Sequence, residues 1–271
     1  MIDLSTTNCR QMQERYYAAL LDWEKLRYLN RERKAKTAEE LEKLKEKIEK
    51  RKTHSLRVLA VCSDITKALA AGGEAQAAES PSLPKLNEPL LSAAALLHDI
   101  AKFDSNEHHH RLAVSAVKTV CGPYGPEDSS AFFALDEIIA AHKGDFMPCP
   151  EYAAEAAILR MADKLDKVYR RAQKVQRAKA AEKRAQSSLD IARSLGASNK
   201  KITKKVEKML DKGCKLSKRE DDLRAAKAEF DQNWAAVRAY AQNTASGNCT
   251  PDFFTAFSKA LKSLFAPPSA E

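Results

Sequence analysis

The sequence predicts an all-α protein of 271 residues. Glycine and proline are scarce, at 8 and 10 residues, while Ala, Leu, Lys and Glu are abundant. No stretch alternates β-branched with polar residues as a half-buried strand does. Apolar positions instead recur every three or four residues, the spacing that gathers them on one face of a helix. A chain of this length holds one large or two small domains and can bury a substantial core.

The first helix is expected over residues 5–34, where Tyr16, Ala19, Leu20, Trp23, Leu26 and Leu29 form one stripe. "TAEE" then reads as a capping box, with Thr37 as N-cap and Glu40 reaching back to it. The helix it opens is charged all round through "LEKLKEKIEKRK" and apolar through "THSLRVLAVCSDITKALA". Such a helix projects from the body and then enters it, so residues 5–51 are expected to fold as a hairpin against the rest. Residues 72–87, "GGEAQAAESPSLPKLN", are a loop by their Gly, Pro and Ser content. Helices follow at 88–102, 107–120, 128–143 and 151–194, separated by the proline-bearing breaks "CGPYGPED" and "GDFMPCPE". "LGASNKK" interrupts the last of these. A second long helix then runs over 202–242, with a weak spot at "KGCK". "TPDFFTAFSKALKSLF" is a capped terminal helix with Pro251 in its first turn. The stripe Val206, Met209, Leu210, Leu223, Phe230, Trp234 and Val237 suits a helical hairpin packed on itself or on a partner.

The formal net charge of +9 is unevenly placed. Residues 164–219 hold 19 Lys/Arg against 5 Asp/Glu, a net of +14, which leaves −5 elsewhere. This segment has the charge to steer an anionic substrate or hold a nucleic acid, since clustered cations replace phosphate counterions. The plainer reading is a set of solvated helix faces, because Tyr169 is the only aromatic residue there. The six cysteines, Cys9, Cys62, Cys121, Cys149, Cys214 and Cys249, show no C-x-x-C pair and are expected to be reduced thiols of a cytoplasmic protein. Neither an export leader nor an apolar run of about 18 residues is found, so a soluble protein with no membrane partner is expected. The helical arms offer surfaces for homo-oligomer formation.

Polar residues interrupt the apolar helices at a few places. "AALLHDIAKF" (94–103) presents His98 and Asp99 inside an otherwise apolar run. His54 lies where the charged helix becomes apolar, His142 ends "ALDEIIAAH", and Asp163 interrupts "AAILRMADKLDKV". "EHHHRLAV" adds His108, His109 and His110. Each group has a plainer explanation when taken singly: a hydrogen-bonded core histidine, an ion pair of Asp163 with Arg160 or Lys167, or a solvated helix start. As a set they are the nitrogen and oxygen ligands of a borderline divalent cation, supplied by separate helices that converge only inside a bundle.

These segments resemble the HD-domain metal-dependent phosphohydrolases, whose pattern is H…HD…D with further histidines between the HD pair and the last Asp in two-metal members. "THSLRVLAV" looks like the opening His helix, "AALLHDIAKF" like the signature, "EHHHRLAVSAV" and "IIAAHKGDFMP" like the intervening histidine segments, and "ILRMADKLDKV" like the closing Asp helix. The resemblance covers about residues 50–172 and is similar in particular to the branch that hydrolyses dinucleoside polyphosphates. It implies an HD-domain helical bundle over 51–172. Added to it are an N-terminal hairpin arm over 1–50 and, over 173–271, a basic arm with C-terminal helices packing on the core.

It further implies that His54, His98, Asp99 and Asp163 hold a first metal. Asp99 would bridge to a second, held by His142 and one histidine of the triplet. His109 is the preferred one, because the small Ala113 follows four positions later as the family has it; His110 is the alternative. Several two-metal members carry paired histidines near the position of His142, where this chain has Lys143. The cofactor implied is one or two ions of Mn, Fe, Co, Ni or Zn, with Mg a further candidate.

The expected reaction is hydrolysis of a phosphate ester or anhydride, of a nucleotide or related phosphorylated small molecule, by a metal-activated water. Lys102, one turn past Asp99, and Arg57, one turn past His54, are expected phosphate contacts; the bland reading of both is charge snorkelling at a helix end. Asp99, or an outer carboxylate such as Asp166, is the candidate acceptor of the water's proton. The competing readings are an HD-type nuclease acting on single-stranded nucleic acid and a regulatory or scaffold protein with a ligand-sensing HD domain.

Overall fold

The computed structural model of the chain describes residues 3–29, 34–74, 84–121, 125, 128–244 and 247–265. Among them the long elements are α1 (Thr6–Leu29), α2 (Lys34–Glu74), α3 (Glu88–Leu97), α4 (His109–Cys121), α5 (Ser129–Ala140), α6 (Ala153–Ser194), α7 (Asn199–Asn243) and α8 (Pro251–Phe265). Short 3-10 helices occupy Ile100–Phe103 and Pro150–Tyr152, and no strand occurs among the described residues. The all-α class and the order of helices follow the sequence pattern.

The described residues divide into two compact units, 1–163 with 235–271, and 164–234. In the first, α1 packs on α2, α3 and α4, while α2 packs on α3 and α8, and α5 packs on α3 and α4. The centre is built from Leu96, Leu97, Ile100, Leu135, Ile138, Ile139 and Ile158, all fully buried. From Leu90 onward α3 is buried everywhere but at Ser92, as a helix surrounded by others must be. Asn87 caps it by accepting from Leu90 N at 3.1 Å. Residues 153–162 of α6 are likewise buried throughout.

The start of α6 is anchored by a polar knot. Glu155 accepts from Asn87 N at 2.8 Å and from Asn248 Nδ2 at 2.6 Å, and Asn248 Oδ1 accepts from Ala154 N at 2.7 Å. The neighbouring Gly247 has φ +104°, and a Cβ there would lie 2.2 Å from the Pro150 carbonyl oxygen. Gly247→Ala is therefore expected to destabilise the fold by about 2–4 kcal/mol, through backbone strain and a clash with rigid main chain. A denaturant midpoint unchanged from the parent would contradict this.

The second unit is a helical hairpin. α6 from Lys164 onward runs antiparallel to α7 up to Trp234, and Gly196 (φ +63°) closes the turn in a Schellman arrangement. In that motif Ala197 N donates to Ala192 O at 3.0 Å and Gly196 N to Arg193 O at 3.1 Å. Val175, Leu189, Ala192, Ala226 and Phe230 are buried in the seam. Arg171 meets Asp222 at 2.9 Å, Lys164 meets Glu229 at 3.5 Å, and Lys167 also bonds Glu229.

The boundaries differ from the expected ones in three places. α2 begins at Lys34, so Thr37 lies inside the helix rather than at its N-cap; Lys34, Ala35 and Lys36 are themselves good helix formers. α7 passes unbroken through "KGCK", because an interior glycine costs only about 1 kcal/mol and α6 packs alongside. The expected 88–102 helix stops at Leu97 and resumes as a 3-10 turn at Ile100. The stripe on α1 also differs: its buried face is Cys9, Met12, Gln13 and Tyr17, while Trp23 is 56% and Leu26 63% exposed. Part of the residue 72–87 loop lies outside the described residues.

Candidate metal centre

Five segments of the first unit bring their polar side chains to one place. α2 becomes buried after its charged first half, and His54 sits on its inward face. His98 and Asp99 occupy the break between α3 and the 3-10 turn, where Asp99 adopts φ −104°, ψ 7°, a sparsely populated backbone region common at functional sites. His109 is the first residue of α4, His142 lies two residues past α5, and Asp163 projects from α6. His54 Nε2 is 3.2 Å from Asp163 Oδ1 and 3.7 Å from Asp99 Oδ2. His109 Nε2 is 3.1 Å from Asp99 Oδ1 and 3.3 Å from His142 Nε2, and His98 Nε2 is 3.8 Å from Asp99 Oδ1. Two triads, His54–His98–Asp163 and His98–Asp99–His142, each keep their ligand atoms within 4.8 Å of one another, and His98 belongs to both.

The tautomers follow from the hydrogen bonds. His98 Nδ1 lies 2.8 Å from Ala95 O, His109 Nδ1 3.0 Å from Asn106 O, and His142 Nδ1 2.6 Å from Ile139 O. A carbonyl only accepts, so each Nδ1 carries the proton, and in the neutral ring each Nε2 turns a lone pair inward. Burial holds both His98 and His142 below the usual histidine range, His142 well below it, which favours the neutral form. His98 Nε2 is buried and has no hydrogen-bond partner among the described residues. An unpartnered acceptor in such a place is costly unless something electropositive meets it. Two ligands about 2.1 Å from a common ion at right angles stand about 3.0 Å apart, so the separations of 3.1–3.8 Å suit a cation held between them. Donor set and spacing both fit a divalent metal.

Asp99 is the hub. Its carboxylate, 1% exposed, is pushed up by burial, but positive charge around it, with Lys102 at both of its oxygens, more than reverses this and holds it well below the usual carboxylate range. Lys102 Nζ reaches both carboxylate oxygens at 3.0 Å. A second cation arrives that the sequence does not single out: Arg51, one turn before His54 on α2, puts Nη1 3.1 Å from Asp99 Oδ2. Arg57 is half-buried one turn beyond His54. Within the triplet, His109 faces Asp99, His108 is exposed, and His110 is buried with its ring centroid 6.1 Å from that of His142.

Other residues brace the ligands without touching the centre. Arg160, one turn before Asp163, donates Nη1 to Ala141 O at 2.9 Å and Nη2 to Gly144 O at 2.7 Å, fastening the loop that carries His142. Its place in the apolar run "AAILRMAD" is the sequence signal that could have marked it as such a brace. Lys143 caps the turn before His109, donating to Asn106 O at 3.0 Å and Glu107 O at 2.9 Å. From α1, Gln13 Nε2 donates to Leu96 O at 3.0 Å and to Ser55 Oγ at 3.4 Å, tying α3 to α2 beside the two histidines.

The family model described as the HD domain matches residues 51–168. No curated protein and no solved structure matches the chain.

Proposed function

Residues 51–168 belong to the HD-domain superfamily of metal-dependent phosphohydrolases, and from that premise we propose that this chain hydrolyses a phosphate ester or anhydride of a nucleotide or related small molecule. The observation that carries the reading is the convergence of His54, His98, Asp99, His109, His142 and Asp163, with three imidazoles held by their Nδ1 protons so that Nε2 turns inward. His54, His98, Asp99 and Asp163 would hold a first ion, and His109 and His142, together with Asp99, would hold a second. A bound divalent cation supplies a water of lowered pKa and neutralises charge on the phosphoryl oxygens.

The chain's own residues do the rest. Lys102 and Arg51 already stand at Asp99, so a phosphoryl group reaching the centre meets an ammonium and a guanidinium whose remaining N–H donors are free to turn toward it. Arg57 extends this cationic side along α2. Asp99, buried and charged, would be the group that accepts the proton of the attacking water. Arg160 and Lys143 keep the His142 and His109 segments in place, which limits the reorganisation needed when charge builds up. The complete ligand set favours hydrolysis over a purely ligand-sensing role. No helix among the described residues is long and apolar enough to cross a membrane.

Metal analysis followed by a substrate panel tests the proposal. The purified chain is expected to retain Mn, Fe, Co, Ni or Zn; chelation should abolish turnover, and one of these ions should restore it. Bound metal should also raise the melting temperature, since a ligand at about 100 times its Kd adds roughly 2.7 kcal/mol. The panel spans nucleoside mono- to triphosphates, dinucleoside polyphosphates and a single-stranded oligonucleotide. Turnover that survives full chelation, or no turnover of any substrate with any ion, would sink the reading; turnover of the oligonucleotide alone would favour a nuclease.

A further inference from the structure

The charge of the α6/α7 hairpin is divided along its length. The base, residues 164–173 and 220–234, holds 6 Lys/Arg and 6 Asp/Glu, and its cross-helix pairs Arg171–Asp222 and Lys164–Glu229 neutralise one another. The distal part, residues 174–219, holds 15 Lys/Arg against 4 Asp/Glu. Two of those four acids are already engaged, Asp190 with Gln186 and Asp211 with Lys215. Among the described residues, Arg177, Lys183 and Arg184 on α6 and Lys204, Lys208 and Lys212 on α7 make no ion pair. Uncompensated like charge of this density works against folding, so its concentration in one half of a hairpin, beside a balanced half, points to a polyanionic partner.

We propose that the distal hairpin, residues 174–219, is a docking surface for double-helical nucleic acid, held through its phosphates. Between the helices lies a groove of about 530 Å³, apolar along Ala180 and Ile191 and carrying Lys183, Arg184 and Ser187 beside Lys205, which donates to Ser188 O at 2.9 Å; its cations are the groups that would meet phosphate oxygens. Residues 174–194 of α6 extend about 30 Å at about 1.5 Å per residue, close to the roughly 34 Å of one turn of a duplex. Single strands are disfavoured, because stacking on aromatic rings carries that mode and residues 170–229 contain none. A membrane surface is disfavoured as well. Only Ile191, Leu195 and Leu210 are large apolar side chains exposed there, and no aromatic residue accompanies them. The inference rests on the charge and form of the hairpin and is independent of the proposed metal centre.

Fluorescence anisotropy of the full chain with RNA and DNA duplexes of about two turns, the matching single strands and phosphatidylserine vesicles tests it. Duplex binding should weaken by about 100-fold or more between about 50 and 200 mM salt, as expected for several phosphate contacts. The combined variant Lys183→Glu, Arg184→Glu, Lys204→Glu and Lys208→Glu should lose about 30-fold or more in affinity at low salt while keeping its helical circular dichroism. If charge reversal unfolds the hairpin, the same four changes to Gln should still cost about tenfold. The proposal is overturned by absent duplex binding at low salt, affinity untouched by the folded variant, tighter binding of the single strand, or binding confined to vesicles.

Discussion

Asp99→Asn should eliminate metal-dependent turnover, with a loss on the order of 10³-fold or more, because the proposed centre would lose its shared anionic ligand and its base together. The substitution keeps volume and shape, so packing in the α3 break is preserved. What changes is charge and donor pattern. An amide turns an N–H₂ toward His109 or toward one of the two cations, where the carboxylate presents acceptors only. Lys102 and Arg51 lose their counter-charge but are 22% and 36% exposed, so water can solvate them and the fold should survive. Elemental analysis should show reduced metal, with near-parental circular dichroism. Turnover within about tenfold of the parent, or full metal retention with full activity, would remove Asp99 from the mechanism.

Replacing the two cations should separate substrate binding from metal binding. Lys102→Ala and Arg51→Ala are each expected to lower kcat/KM by roughly 10–100-fold, the value of one charge-assisted contact of about 1.5–3 kcal/mol. Both meet the same carboxylate, so the double variant should depart from additivity. Metal content should persist in the single variants, which distinguishes them from Asp99→Asn. If activity and metal disappear together, the two side chains serve only to hold Asp99, and the phosphate contact would fall to Arg57. Lys102→Arg should recover part of the loss.

Much of the site was legible because a polar group in an apolar helix needs a partner. His54, His98, Asp99, His142 and Asp163 stood out against Ala, Leu and Ile on that ground alone, and all lie together in one unit. The braces were less visible. Arg51 sits in "EKIEKRKTH" among charges that look alike, and only the rotation of α2 against α3 turns its guanidinium toward Asp99 while its neighbours Lys50 and Lys52 pair with Glu46, Glu14 and Glu49. Lys143, read as a departure from paired histidines, caps the turn that presents His109.

The sequence by itself determined the all-α class, the order of the helices and the residue types of the candidate metal centre. Helix propensity, glycine and proline breaks, and the cost of burying polar groups act within a few residues or on the single side chain. Only the tertiary structure decided which histidine of the triplet meets Asp99, which face of α1 is buried, and which cation of α2 joins the centre. These are choices of rotation. One step along a helix turns a side chain by about 100°, so they depend on what packs alongside, and no local pattern carries that information.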